Sequence, residues 1–225
     1  MIVALIPGYN EAPRIAAVVR ATLEHLAVIV VDDGSSDGTA ETARAAGATV
    51  IELRPNQGKG AALRAGFRRA LDDGAEAVLT LDADGQHDPA EIPVLLAAWD
   101  AAGRQPDLVI GARNFRSMPP SRRLSNILGG RAFSWAVGQP IADNQSGYRL
   151  VGRALAEATL ASDETGFAFE VEQITTCIRR GGAIAWVPIR TIYAGAPSHI
   201  RPVAHLREFI RIVRQARRDV RRPLE

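Results

Sequence analysis

The sequence predicts an α/β protein: a mostly parallel sheet flanked by helices, in a single domain that ends in an amphipathic helix. Three observations predict it. Short apolar runs recur along the first 113 residues, and stretches with helical spacing separate them. Every unusual polar cluster in that half (Tyr9-Asn10-Glu11, Asp32-Asp33, Asp82-Ala83-Asp84 and Arg113) stands just after such a run. Continuous apolar runs suit strands buried on both faces of a parallel sheet. Strand and helix in alternation imply right-handed crossovers. In such sheets ligands bind beyond the carboxyl ends of the strands, where these polar clusters fall.

The elements follow in order. Ile2 to Ile6 is the first run, stopped by Pro7-Gly8. Ala12 to Leu26 carries Ile15, Val18, Val19, Leu23 and Leu26 at helical spacing. Val28 to Val31 is a second buried strand, with Ser36 or Asp37 as a cap for a helix over Thr39 to Ala46. Thr49 to Leu53 reads as a strand and Gly60 to Leu71 as a helix. Ala77 to Leu81 is a fourth strand, Asp88-Pro89 opens a helix, and Leu108 to Ile110 is a fifth strand. Residues 114–147 hold Pro119-Pro120, Gly129-Gly130, Pro140 and Gly147, which predicts loops and short helices. A helix over Gly166 to Arg180, a strand over Ala183 to Val187 and a loop over 191–202 complete the domain.

Composition narrows the class. With 47% hydrophobic and 23% charged residues, the 225-residue chain fits an ordinary globular protein and not a disordered one. Its one cysteine, Cys177, excludes an intrachain disulfide and a cysteine-built metal site. The longest apolar runs fall far short of the ~18 residues a membrane span needs. The N-terminus lacks the basic segment and cleavage site of a signal peptide, so the expected compartment is the cytoplasm. His25 and His205 read as structural, and Trp99, Trp135 and Trp186 as packing.

Three segments carry candidate chemistry. Asp82-Ala83-Asp84 places two carboxylates where both can reach one hard cation, Mg²⁺ or Mn²⁺, with Gln86 as a third oxygen. The alternative is a solvated turn capped before Pro89. VDDGSSDGT, from Val31, ends a buried strand in two acids that would pair with donors on a nucleobase and ribose. Turn and cap chemistry is the alternative there. Asn56-Gln57-Gly58-Lys59-Gly60 holds the chain's one lysine and opens a helix, where backbone N–H groups could meet an anion. It lacks the spacing of a P-loop, and a simple loop-to-helix turn is the alternative.

Together PGYNE, VDDGSSDGT, NQGKG and LDADGQHDP resemble family 2 glycosyltransferases of the GT-A fold. Gly111-Ala112-Arg113 and Asp143-Asn144-Gln145-Ser146-Gly147-Tyr148-Arg149 look like the branch of dolichyl-phosphate mannosyltransferase and its polyprenyl-phosphate relatives. The resemblance implies a GT-A domain over residues 1–200, with a nucleotide-binding half at 1–113 and an acceptor half at 114–200. A basic helix over 201–225 follows. Pro7, Tyr9 and Glu11 would line the base pocket, and Val31, Asp32 and Asp33 would contact base or ribose. Asp82, Ala83, Asp84 and Gln86 would hold the diphosphate and the metal, with Lys59 beside the donor. Arg113 and Arg122 match arginines that face the acceptor phosphate, and Asp143 matches an acid near the sugar. His199 lies in a loop resembling one that closes over the donor, though the family often has lysine there.

The chemistry agrees. Leaving of a nucleoside diphosphate needs a metal and basic groups. A hydroxyl acceptor would need a carboxylate base, for which Asp143 and Glu170 are the candidates. A lipid phosphate is already anionic and would instead be held by arginines, of which Arg113, Arg116, Arg122, Arg123 and Arg131 lie in the acceptor half. The expectation is an inverting transferase from a nucleotide-diphospho-sugar to a polyprenyl phosphate. Residues 201–225 hold eight arginines against Glu208, Asp219 and Glu225, in a chain of net charge +2. Leu206, Phe209, Ile210, Val213 and Val220 add an apolar stripe, so this end is expected either to pack on the domain or to attach peripherally to a cytoplasmic membrane face. Without interleaved aromatics it does not read as a nucleic-acid binder.

Overall fold

The computed structural model describes residues 1–101, 103, 106–115, 120–166, 168–190, 192 and 202–221, with only the backbone at 120–122, 124–125 and 202–208. Its strands are β1 (Ile2–Gly8), β2 (Ala27–Asp32), β3 (Thr49–Glu52), β4 (Ala77–Thr80), β5 (Leu108–Arg113), β6 (Arg149–Gly152) and β7 (Ile184–Ile189). Its helices are α1 (Ala12–Leu23), α2 (Thr39–Ala45), α3 (Lys59–Asp72), α4 (Ile92–Ala101), α5 (Pro120–Val137), α6 (Arg153–Thr159), α7 (Ala168–Arg179) and α8 (Pro202–Arg221).

The seven strands form one sheet in the order β3-β2-β1-β4-β6-β5-β7. All neighbours are parallel except β6, which runs antiparallel to β4 and β5 on either side. The expected strands therefore stand side by side, and their carboxyl ends open on one edge. Pro7 pairs with Val31 and Gly8 with Asp32 across that edge.

Apolar side chains cover both faces. One face gathers Leu5, Val31, Phe67, Ile110, Phe133 and Phe169 beneath α3, α5, α6 and α7. The other gathers Ile6, Ile15, Val30, Leu79, Leu95 and Trp99 beneath α1, α2 and α4. Each large apolar side chain buried this way contributes about 1.5–3 kcal/mol. Gly66 lets α3 approach β1, because a Cβ there would lie 2.1 Å from Leu5 Cδ1. Cys177 is core, as expected, and burial pushes its thiol up to about 12.

Two expectations are corrected. Residues 120–137 form one 18-residue helix, α5, where loops and short helices were expected. Gly129 and Gly130 lie inside this helix, and a Cβ on Gly129 would meet the Phe209 ring of α8 at an ordinary contact distance of 3.5 Å. The pattern also gave no strand at 149–152 and no helix at 153–159. β6 is four residues long, and α6 seven. Among the described residues no helix is long and apolar enough to cross a membrane.

Candidate active site

The loops after β1 and β2 are stitched together. Asn10 adopts φ +54 and its backbone N–H donates to Ser35 Oγ at 2.8 Å. Its side-chain oxygen accepts from the Ser36 N–H at 3.0 Å. Asp37 accepts from the N–H groups of Ala12 and Thr39 and from the Thr39 hydroxyl, and that last bond foremost holds its carboxyl below the usual range. Glu11 pairs with Arg14 at 2.6 Å. Tyr9 is left 52% exposed above the sheet edge, and Pro7 is half-buried beneath it.

Asp32 and Asp33 have different surroundings. Both Asp33 oxygens accept backbone hydrogen bonds, from Gln57 N–H at 2.8 Å and Gly58 N–H at 2.7 Å. The anion that meets the NQGKG backbone is thus Asp33 itself. Gly34, at φ +76, brings the two segments together, since a Cβ there would touch Asn56 N at 2.8 Å. Asp32 is buried, and its Oδ1 has no hydrogen-bond partner. Val31 and Ala83 are buried supports of the same edge.

Lys59, the first residue of α3, bridges two carboxylates. Its Nζ lies 2.5 Å from Asp82 Oδ1 and 2.9 Å from Glu170 Oε1. Burial pushes the ammonium down, and the two acids more than reverse that, raising it. Burial likewise works against the Asp82 charge, but Lys59 outweighs it and the carboxyl falls to about 2. His87 is buried, and its Nδ1 accepts from the Asp82 N–H at 3.0 Å, which leaves the proton on Nε2. Burial pushes its pKa down. The ring stacks on Tyr148 at 5.1 Å.

Asp84 is half-buried and accepts from Gln86, at 2.9 Å from the backbone N–H and 2.8 Å from the side-chain amide. Among the described residues no three His, Cys, Asp or Glu side chains form a ready metal cage. The donor set still fits a hard cation of the Mg²⁺ kind, which is typically held by one or two carboxylates with substrate phosphates and water filling the shell. Asp84 offers such a carboxylate, and Asp82 would do so once released from Lys59.

Across the edge, Arg113 grips Asp143 with Nε 2.7 Å from Oδ2 and Nη2 2.9 Å from Oδ1. The segment from Asp143 winds around Arg149, which is buried. Its guanidinium donates to the carbonyls of Asn144, Ser146 and Glu170 and to Gln173 Oε1. No role was expected for Arg149. The available signal was an arginine opening the apolar stretch Leu150-Val151. Gly147 gives the room: a Cβ there would lie 2.8 Å from Glu170 Oε1 and 3.1 Å from both Asp82 oxygens. The side chain of Arg122, all of Arg116 and the loop with His199 lie outside the described residues. Arg123 and Arg131 are exposed. The chain after β7 does come back to this edge, where Ile192 N–H donates to the Gln86 carbonyl and Arg190 pairs with Glu91.

Glucosyl-3-phosphoglycerate synthase from Mycobacterium tuberculosis, solved with Mn²⁺, UDP and phosphoglyceric acid, superposes with a TM-score of 0.73 at 22% identity. The match covers 96% of this chain and 78% of that one. The fold is therefore that of GT-A-like glycosyltransferases. The family described as glycosyl transferase family 2 matches residues 3–158. The chain belongs to that family. It is 36% identical over 212 residues to glycosyltransferase AglJ of Haloferax volcanii, covering 88% of this chain and 66% of that protein. It is 32% identical over 203 residues to undecaprenyl-phosphate mannosyltransferase of Micrococcus luteus, covering 84% and 82%. Polyprenol monophosphomannose synthase of Mycolicibacterium smegmatis is also 32% identical, over 201 residues, covering 82% and 75%.

Proposed function

We propose that the chain transfers a sugar, with inversion, from a nucleotide-diphospho-sugar to the phosphate of a polyprenyl phosphate. A phosphate oxygen attacks the anomeric carbon, the bond to the donor diphosphate breaks, and the nucleoside diphosphate leaves with the electron pair. A bound Mg²⁺ or Mn²⁺ would offset the charge of the departing diphosphate. Asp84 and Gln86, with Asp82, would hold it. Asp32 would accept a base or ribose hydrogen through its unpartnered Oδ1, with Tyr9, Pro7 and Glu11 closing the base pocket. Lys59 would contact the donor diphosphate, and Arg113 and Arg122 would receive the acceptor phosphate. His199 would close over the donor.

One observation carries the choice of acceptor. A hydroxyl acceptor needs a carboxylate free to take its proton. Both candidates are engaged by cations, Asp143 by Arg113 and Glu170 by Lys59. A phosphate nucleophile needs no base, and the relatives named for undecaprenyl and polyprenol phosphates point the same way. Such an acceptor would place the enzyme peripherally at the cytoplasmic face of a membrane.

The test is nucleoside diphosphate release with Mn²⁺ and a panel of nucleotide sugars, with and without polyprenyl phosphate. Release that depends on the lipid phosphate is expected. Release with polyprenol or a saccharide, and none with the phosphate, would replace this reading with the hydroxyl one.

A further inference from the structure

Part of the apolar side of the C-terminal helix faces the domain. α8 lies against α5 and α7, Ala216 is buried, and Ile212 and Val220 pack on the core. Those positions are therefore not available to a bilayer, whereas Ile210, also of the stripe, is 41% exposed. What the α5–α8 pair turns outward is different.

On α5, Leu128, Arg131 and Trp135 fall three and four residues apart, on one face. All three are exposed, Leu128 by 56% and Trp135 by 65%. On α8, Ile210 is 41% exposed, and the Arg217 guanidinium stands 3.5 Å from the centroid of the Trp135 ring. Arg214, Arg218 and Arg221 are exposed along the same helix. The acids nearby are elsewhere: Glu164, Glu172 and Asp219 line the groove between α7 and α8. Single exposed apolar residues need no explanation, but three on adjoining helices among arginines do. Beside Trp135 opens a cleft of about 710 Å³ that includes Pro140, Ile141 and Trp186 in its lining. Its lining includes Ala142, the residue before the Asp143 that Arg113 holds.

We propose that this α5–α8 face docks on an anionic lipid bilayer. The inference rests on the lipid-phosphate reading above and says where the bilayer sits. Trp135, Leu128 and Ile210 enter the headgroup boundary, as an interfacial tryptophan with apolar neighbours does. Arg131, Arg214, Arg217, Arg218 and Arg221 meet anionic headgroups. The cleft beside Trp135, whose lining reaches Ala142, then opens at the bilayer, where a lipid-borne phosphate would enter.

The experiment is co-sedimentation of the full chain with vesicles of phosphatidylcholine alone or mixed with phosphatidylglycerol, at low and high salt. The chain should sediment with the anionic vesicles and release as salt screens the arginines. Trp135→Glu, and separately Arg214→Glu with Arg218→Glu, should each lower partitioning at least tenfold with unchanged melting temperature. Arg20→Glu, exposed on α1, should bind like the parent. A parent chain that stays in solution overturns the proposal, as do variants that sediment equally well. So does a Trp135→Glu variant that dissociates a dimer in sedimentation velocity and still binds vesicles, which would assign the face to a second copy. Nucleoside diphosphate release with detergent-dispersed polyprenyl phosphate separates the two claims. Transfer without vesicle binding sinks the docking face alone. Vesicle binding without transfer supports the face and removes the acceptor reading.

Discussion

Arg113 holds Asp143 by two parallel hydrogen bonds, Nε to Oδ2 and Nη2 to Oδ1, at 2.7 and 2.9 Å. The pair ties the end of β5 to the segment that leads into β6, and Asp143 is almost wholly buried within it. Removing one partner of a buried pair leaves the other charge uncompensated. Arg113→Met should therefore destabilise the fold by about 3 kcal/mol, read as a shift of the urea midpoint. Arg113→Lys should keep part of that stability but not the two-pronged geometry. Equal stability of Arg113→Met and parent would show that the pair is not what fixes this segment.

Lys59 has a pH signature. The Asp82 carboxyl lies lower in the folded chain, at about 2, than in an unfolded one, near 3.9. Its ion pair therefore stabilises fully above pH ~4 and is lost as pH falls toward ~2. Lys59→Met leaves Asp82 and Glu170 facing each other without their cation. That variant should be clearly less stable than the parent at pH 7, and the gap should narrow as pH falls from ~4 toward ~2 and the Asp82 contribution is lost. Denaturant midpoints at pH 7, 5 and 3 measure it. A constant gap would mean the lysine acts through packing alone.

In the proposed mechanism Asp84 supplies a carboxylate to the divalent ion. Asp84→Ala should lower transfer roughly 100-fold or more and abolish the metal dependence of donor binding. Titration calorimetry with nucleoside diphosphate, with and without Mn²⁺, reads the second effect directly. Unchanged metal-dependent binding would remove Asp84 from the metal site.

Gly147 is required for space. Its α-carbon faces Glu170 and Asp82, so the methyl of Gly147→Ala would push against both carboxylates. The expected outcome is a variant that costs about 1–3 kcal/mol in stability and loses more in kcat than in donor affinity. A fully active Gly147→Ala enzyme would show that these carboxylates tolerate displacement.

All six strands that run in one direction, β1 to β5 and β7, were legible in the sequence, and so were the polar residues that stand at their ends. Apolar runs such as Val28–Val31 and the acids that stop them are local facts, and a strand buried on both faces leaves that mark whatever its neighbours are. The match of PGYNE, VDDGSSDGT, NQGKG and LDADGQHDP to a family rests on the same local signals. Only the tertiary structure decided that β6 enters antiparallel between β4 and β5. It alone brought Lys59 to Asp82 and to Glu170, and wrapped the Asp143–Tyr148 segment around a buried Arg149. It also turned Ile212, Ala216 and Val220 of α8 inward and left Ile210 and Trp135 outside. Periodicity records how much of each element is buried, but charge pairing and the choice of outer face depend on which distant elements become neighbours. That is set by packing the whole chain, where a lysine and its two acids can be far apart in sequence and still share one proton-bearing group.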